Sequence, residues 1–219
     1  MADEGIRFGS LQRWQPGGPR LRPDRGRQFA VVALGQPRAE ELPIFVDLDT
    51  LRDIDQHARS EVRVELGGVL LGAAWRDPAG SPYLMIQHSL RANYTRSRTG
   101  SLTFTHETWA DLTQRRRAIP EAPRIVGWYH THPGWGVFLS GWDQFICRHF
   151  FASPWDVALV LDPCRGERGW FQRNPAATGP PRRLEGYYVI TARRRHAELE
   201  RFAAYLCEPP REGPTRETQ

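Results

Sequence analysis

The chain has 219 residues, 40% of them apolar and 11% aromatic. That is core-forming material for one domain, or at most two small ones, and it excludes a disordered or fibrous class. The formal charge is +5 and the basic side chains are all arginine, but they are scattered, and the runs Arg115 to Arg117 and Arg193 to Arg195 lie in helix-like segments near acids, which argues for solvated helix faces rather than a nucleic-acid footprint.

Three cysteines without close pairing imply no disulfide framework. No N-terminal apolar segment and no apolar run of about 18 residues is present, so a soluble, cytoplasmic protein without a membrane partner is expected. The lack of lysine fits a GC-rich coding sequence. It would also suit a protein that avoids offering amines to a lysine-modifying system.

Residues 1–27, with "RWQPGGPRLRPDRGR", read as a flexible or loosely docked arm. "FAVVAL" then predicts a first strand, and Leu48, Leu51, Ile54 and Ala58 recur at helical spacing. "VELGGVLLGAAW" reads as a buried strand with glycines where something approaches closely. A turn at "RDPAGS" leads to the strand "PYLMIQHSL". "THETWADLTQRRR" predicts a helix with Thr105 as N-cap. The strand "PRIVGWYHTH" is broken by Pro133 and Gly134, "SGWDQFICRHFFA" returns to helix, and "WDVALVLDP" with "RGWFQR" forms a strand pair. The loop "NPAATGPP" precedes a last strand "EGYYVI", a helix over about 192–206 and a polar tail over 207–219. Residues 28–206 therefore form one α/β (α+β) domain, a sheet flanked by helices, without internal repeats.

The stretch "GWYHTHPGWGVFLSGWDQF" carries the chemistry. On a strand, residues i and i+2 share a face, so His130 and His132 present two imidazoles together while Thr131 points away. A lone His-x-His is weak evidence of a metal. Ser140 and Asp143 follow at a spacing that would share one helix face, and Ser-x-x-Asp is also the pattern of a capping box. A cap accounts for the serine and aspartate but leaves the histidine pair unexplained. Two histidines and an aspartate around zinc, with a fourth position open, account for all the pattern.

His130-x-His132, seven residues, Ser140, two residues and Asp143 resemble the zinc motif of the JAMM (MPN-type) metalloproteases. "HTHPGWGVFLSGWD" is similar to the versions in the eukaryotic proteasome-lid deubiquitinase and signalosome deneddylase. "ELGGVLLG", residues 65–72, resembles the family's glutamate segment, which makes Glu65 the matching residue, with Gly68 and Gly72 in glycine positions. "LTFTHETW" and "LDP" (Leu161 to Pro163) also resemble family patterns. The likeness covers roughly residues 45–190.

The resemblance implies an MPN/JAMM-type central mixed β-sheet flanked by helices, cytidine-deaminase-like, and one catalytic Zn2+ held by His130, His132 and Asp143. It implies that Glu65 takes a proton from the attacking zinc-bound water and delivers it to the leaving amine, and that Ser140 hydrogen-bonds the oxyanion. Without the zinc triad, Glu65 would read as a surface carboxylate. Trp135 and Phe138 would wall a substrate channel or pack in the core, Cys147 would line the site or pack against the sheet, and Cys164 receives no role. The remaining histidines have no partner at ligand spacing.

The implied substrate is ubiquitin or a ubiquitin-like protein cut after its terminal glycine, its tail held as an added strand with help from the loop "RANYTRSRTGSL". The compact size and arginine bias point to a bacterial deubiquitinase-like member with E1- and E2-like pathway partners, of the sort that includes antiphage systems. Trimming of sulfur-carrier precursors and a non-catalytic MPN scaffold are the alternatives.

Overall fold

The computed structural model describes residues 15–93, 96–98, 101–172 and 179–208. Its centre is two long strands, β4 (Gly67–Arg76) and β5 (Pro82–Arg91). They are antiparallel across the turn at 77–81, where Asp77 N donates to Ser81 O at 2.8 Å. β4 is buried on both faces along most of its length, and β5 over its apolar half from Tyr83 to Ile86, as central strands are. The glycines in β4 mark close approach: a Cβ at Gly68 would collide with the Leu90 carbonyl, and one at Gly72 with the Met85 carbonyl.

Around this pair the sheet is mixed. β8 (Arg124–Thr131) lies antiparallel to β4, β9 (Val157–Asp162) lies parallel to β8, and β10 (Glu167–Gln172) and β11 (Arg182–Arg183) follow antiparallel. On the other side β5 takes β3 (Ile44–Asp47) and then β12 (Gly186–Ala192) in parallel, and β2 (Phe29–Gly35) closes the edge antiparallel to β12. The two ends of the sheet meet, β11 passing into β12 through Leu184 and Glu185 and the ring of Trp170 in β10 lying 5.6 Å from that of Tyr187 in β12, so the sheet curls.

Helices α1 (Leu48–Ser60) and α4 (His196–Cys207) cover one face, contributing Leu51, Ile54, Leu199 and Phe202 to the largest apolar cluster. Helices α2 (His106–Ala118) and α3 (Gly141–His149) belong to the other face, where Leu112 packs on Val69 and Leu71, and Ile146 and Cys147 pack with Trp128 and Val160. This is the mixed sheet flanked by helices expected of the MPN/JAMM type. Cys147 is a packing residue. No helix among the described residues is long and apolar enough to cross a membrane.

β3 and β1 (Gly17–Pro19) were not foreseen. β3 runs directly into α1, with Asp47 its last residue and also the helix N-cap, Oδ1 accepting from Asp49 N at 2.9 Å. Of the expected arm, residues 1–14 lie outside the described residues. Residues 17–25 dock on the sheet: β1 pairs with β4, Arg20 lies over Trp75 and Arg22 over Phe45. The loop expected over 91–102 contains a hairpin, β6 (Arg96–Arg98) with β7 (Ser101–Thr103). Residues 94–95 and 99–100, most of the proline-rich loop (173–178) and the tail from 209 lie outside the described residues.

α1 is tied to β8 by a buried polar contact, His57 Nδ1 to Tyr129 OH at 2.8 Å. Burial, with help from Arg91, pushes the His57 imidazole down to about 4, so it is neutral in the fold. Unfolded, it binds a proton below about pH 6.5. Its stabilising contribution is therefore complete above pH 6.5 and is lost as pH falls toward 4, by up to about 3 kcal/mol. His57→Asn keeps a hydrogen-bonding group near Tyr129, and denaturant unfolding between pH 6.5 and 4 is expected to show a flatter decline than the parent.

Candidate metal centre

The site sits where β8 ends. Trp128, His130 and His132 alternate onto the α3 side, while Tyr129 faces α1. His130 is fully buried and stacks on Trp128, ring centroids 4.3 Å apart at 10°. His132 lies against Phe138 at 4.7 Å. Its N–H donates to Leu161 O at 2.8 Å, which fixes the backbone of β8 to the end of β9.

Asp143 arrives from α3. Ser140 is the N-cap: its Oγ accepts from Asp143 N at 3.2 Å, and Asp143 Oδ2 accepts from Ser140 N at 2.7 Å. The cap and the ligand set proposed from the sequence are thus one arrangement, because the capping box aims the carboxylate at the histidines. Asp143 Oδ1 stands 3.3 Å from His130 Nε2, and Oδ2 stands 3.5 Å from His132 Nε2. The two Nε2 atoms are 3.0 Å apart.

These distances test the fit to a metal. Ligands bound tetrahedrally at 2.0–2.1 Å stand about 3.3 Å from one another, which is the spacing found. The donor set of two imidazole nitrogens and one carboxylate is a zinc-type set, buried, with one ligand atom from each residue within 4.8 Å of the others. Desolvation alone would raise the Asp143 carboxyl, but hydrogen bonds from His130, His132 and Ser140 override it and hold the group well below the usual carboxylate range. Burial lowers His130, which favours the neutral imidazole a metal needs.

Glu65 lies two residues before β4 begins rather than within the strand. The β4–β8 register pairs Gly67 with His130, and continuing it sets Glu65 opposite His132, on the imidazole side. Leu66 continues the pairing: Thr131 N donates to Leu66 O, and Leu66 N donates to Thr131 Oγ1, each at 2.8 Å. The sequence showed Thr131 facing away from the imidazoles; the structure adds that its hydroxyl holds the segment carrying Glu65. Glu65 is 8% exposed. Burial pushes its carboxyl up to about 7, with His132 pulling down and Asp143 pushing up.

The structure thus brings together all five residues singled out in the sequence. Trp135 and Phe138 are both exposed, so neither is a core residue, and Phe138 is the aromatic partner of His132. Cys164 is exposed, beyond the end of β9. Trp128 was missed as a neighbour of the site, although its i−2 spacing from His130 on a strand was the signal that places it there.

No protein-family model matches the chain. Among curated proteins it is similar to COP9 signalosome complex subunit 5 from several eukaryotes. It is 28% identical over 134 residues to that of Dictyostelium discoideum, covering 57% of this chain and 39% of the relative. It is 29% identical over 146 residues to that of Caenorhabditis elegans, covering 63% and 39%. It is 30% identical over 149 residues to that of Yarrowia lipolytica, covering 64% and 41%. The chain therefore spans about two fifths of the length of these relatives and is similar to that part of them.

Proposed function

We propose that this chain is a JAMM-type zinc metallopeptidase that cleaves after the C-terminal glycine of ubiquitin or a ubiquitin-like protein. The observation that carries this reading is the convergence of His130, His132 and Asp143 at ligand spacing with a buried carboxylate, Glu65, across the strand pair. The motif resemblance and the similarity to COP9 signalosome complex subunit 5 support it.

In this reading His130, His132 and Asp143 would hold one zinc ion. Bound zinc supplies Lewis acidity, which polarises a carbonyl and acidifies water. Glu65 takes a proton from the attacking water onto its carboxylate and hands it to the leaving amine nitrogen. Ser140 Oγ accepts from Asp143 N and still has its own proton to donate to the oxyanion.

A protein substrate is supported by the rim. Of the eight large apolar side chains exposed among the described residues, Val62, Val64, Trp135, Phe138, Trp142 and Phe145 all lie within three positions of Glu65, His132, Ser140 or Asp143. Phe138 lies against His132, so part of this exposed apolar surface borders the site, where a protein substrate would dock. Trp142, stacked on Phe145 at 5.1 Å, is expected on Trp142→Ala to raise KM for a folded ubiquitin-like substrate by roughly tenfold, with kcat for a short glycine-terminated peptide little changed.

The arginine-only basic composition suits a protein working beside a lysine-conjugating machine. The compact size, the arginine bias and the resemblance to bacterial family members support our proposal of a cytoplasmic bacterial ubiquitin-like pathway with E1- and E2-like partners, of the kind used against phage. Genome neighbours of those classes would bear on this directly.

The test is mass-resolved cleavage of ubiquitin-like proteins carrying peptide-linked or lysine-linked extensions, with and without a zinc chelator. Cutting after the terminal glycine, abolished by chelation, is expected. Preference for linear extensions on sulfur-carrier proteins would redirect the reading to precursor trimming. Zinc binding without cleavage of any member would favour the scaffold.

A further inference from the structure

Asp162 has no part in the chemistry above, yet it is a fully buried carboxylate at the end of β9. Its two oxygens are occupied by backbone amides from two separate segments. Oδ1 accepts from Gly134 N at 2.9 Å, Cys164 N at 2.9 Å and Arg165 N at 3.2 Å, while Oδ2 accepts from Gly136 N at 2.7 Å. Gly134 and Gly136 have φ of 79° and 85°, a backbone open to glycine. Arg165 closes the arrangement from the other side, Nη2 donating to Gly134 O at 3.0 Å and Nε lying 3.5 Å from Asp162 Oδ2.

The clamped segment is the one that connects the histidine pair to the Ser140–Asp143 cap. Leu161 O already holds the His132 N–H, so the last two residues of β9 fix both the imidazole strand and the loop leaving it. We infer that Asp162 is a positioning residue: by fastening Gly134 and Gly136 it sets the distance from His130 and His132 to Asp143 and Ser140. This rests on the zinc reading above and deepens it. A carboxylate is required because both oxygens must accept. The amide of Asn, with one oxygen and one donating nitrogen, would set N–H against N–H at one of the two oxygen positions.

The experiment is zinc affinity by competition with a chromophoric chelator, with kcat and KM, for the parent, Asp162→Asn and Arg165→Ala. Leu206→Ala, on α4 at the opposite face of the sheet, supplies a destabilised control, and thermal unfolding ranks all four. Asp162→Asn is expected to bind zinc about tenfold more weakly and to lose about 10–100-fold in kcat. Arg165→Ala, which removes a half-exposed group, is expected to stay within about threefold. Leu206→Ala should lose stability and keep its zinc affinity.

Parent-like zinc affinity and kcat in Asp162→Asn would overturn the inference. So would equal losses in Leu206→Ala, since the effect would then follow stability alone. A parent that binds no zinc would overturn the zinc reading, and with it the inference. A parent that binds zinc without cleaving anything would sink only the proposed activity, because the affinity arm still decides on Asp162.

Discussion

Glu65→Gln is expected to lower kcat/KM by about 10²–10⁴-fold while leaving zinc binding intact. The substitution keeps the shape and removes the proton acceptor. Glu65 is buried and held through Leu66 to Thr131, so Gln should occupy the same place. Burial raises the free carboxyl to about 7, and an adjacent bound cation draws it down again. A base must be ionised to act, so kcat/KM should rise with pH along an acid limb at or below about 7, and this limb should vanish in the variant. Retained zinc with lost cleavage is the diagnostic pair. Parent-like cleavage by Glu65→Gln would remove the residue from the mechanism.

Ser140→Ala is expected to lower kcat by about 10²–10³-fold and stability by only about 1 kcal/mol. The two effects have separate origins. The helix loses the hydroxyl that accepts from Asp143 N, but Ser140 N still donates to Asp143 Oδ2, so the carboxylate keeps much of its aim. What disappears is the hydroxyl proton available to the oxyanion. Ser140→Thr keeps both the cap and the proton and should recover most of each loss. If kcat falls only severalfold in Ser140→Ala, the hydroxyl is a cap and nothing more.

Much of this was legible in the sequence, and for identifiable reasons. Apolar runs bounded by turn residues announced β4, β5 and β9, with β10 read as the partner of β9, and Thr105 announced the start of α2, where a capping box with Thr108 stands. The strand period of two placed His130 and His132 on one side without reference to any other element. β3 escaped because it is four residues long and passes into α1 with no turn between. β1 escaped because Gly-Gly-Pro looks like linker and becomes a strand only against Trp75 and Arg76. Glu65 could be named only through the resemblance, since its nearness to His132 depends on a pairing across 65 residues. The role inferred for Asp162 needs Gly134 and Gly136 brought to it from 28 and 26 residues away, and nothing in "LDP" itself reports that.

The three candidate ligands stand on elements of unequal permanence. β8 is hydrogen-bonded on both sides, to β4 and to β9, so its amides should exchange with solvent only when the sheet as a whole opens. α3 is nine residues long and starts at the exposed Gly141 and Trp142, where helix ends fray on far shorter timescales. The imidazoles then depend on the sheet, and the carboxylate depends on the capping box that holds the first turn of α3. The rate at which a bound ion escapes to a scavenger should therefore track the fraying of one helical turn and be nearly indifferent to the global stability of the protein.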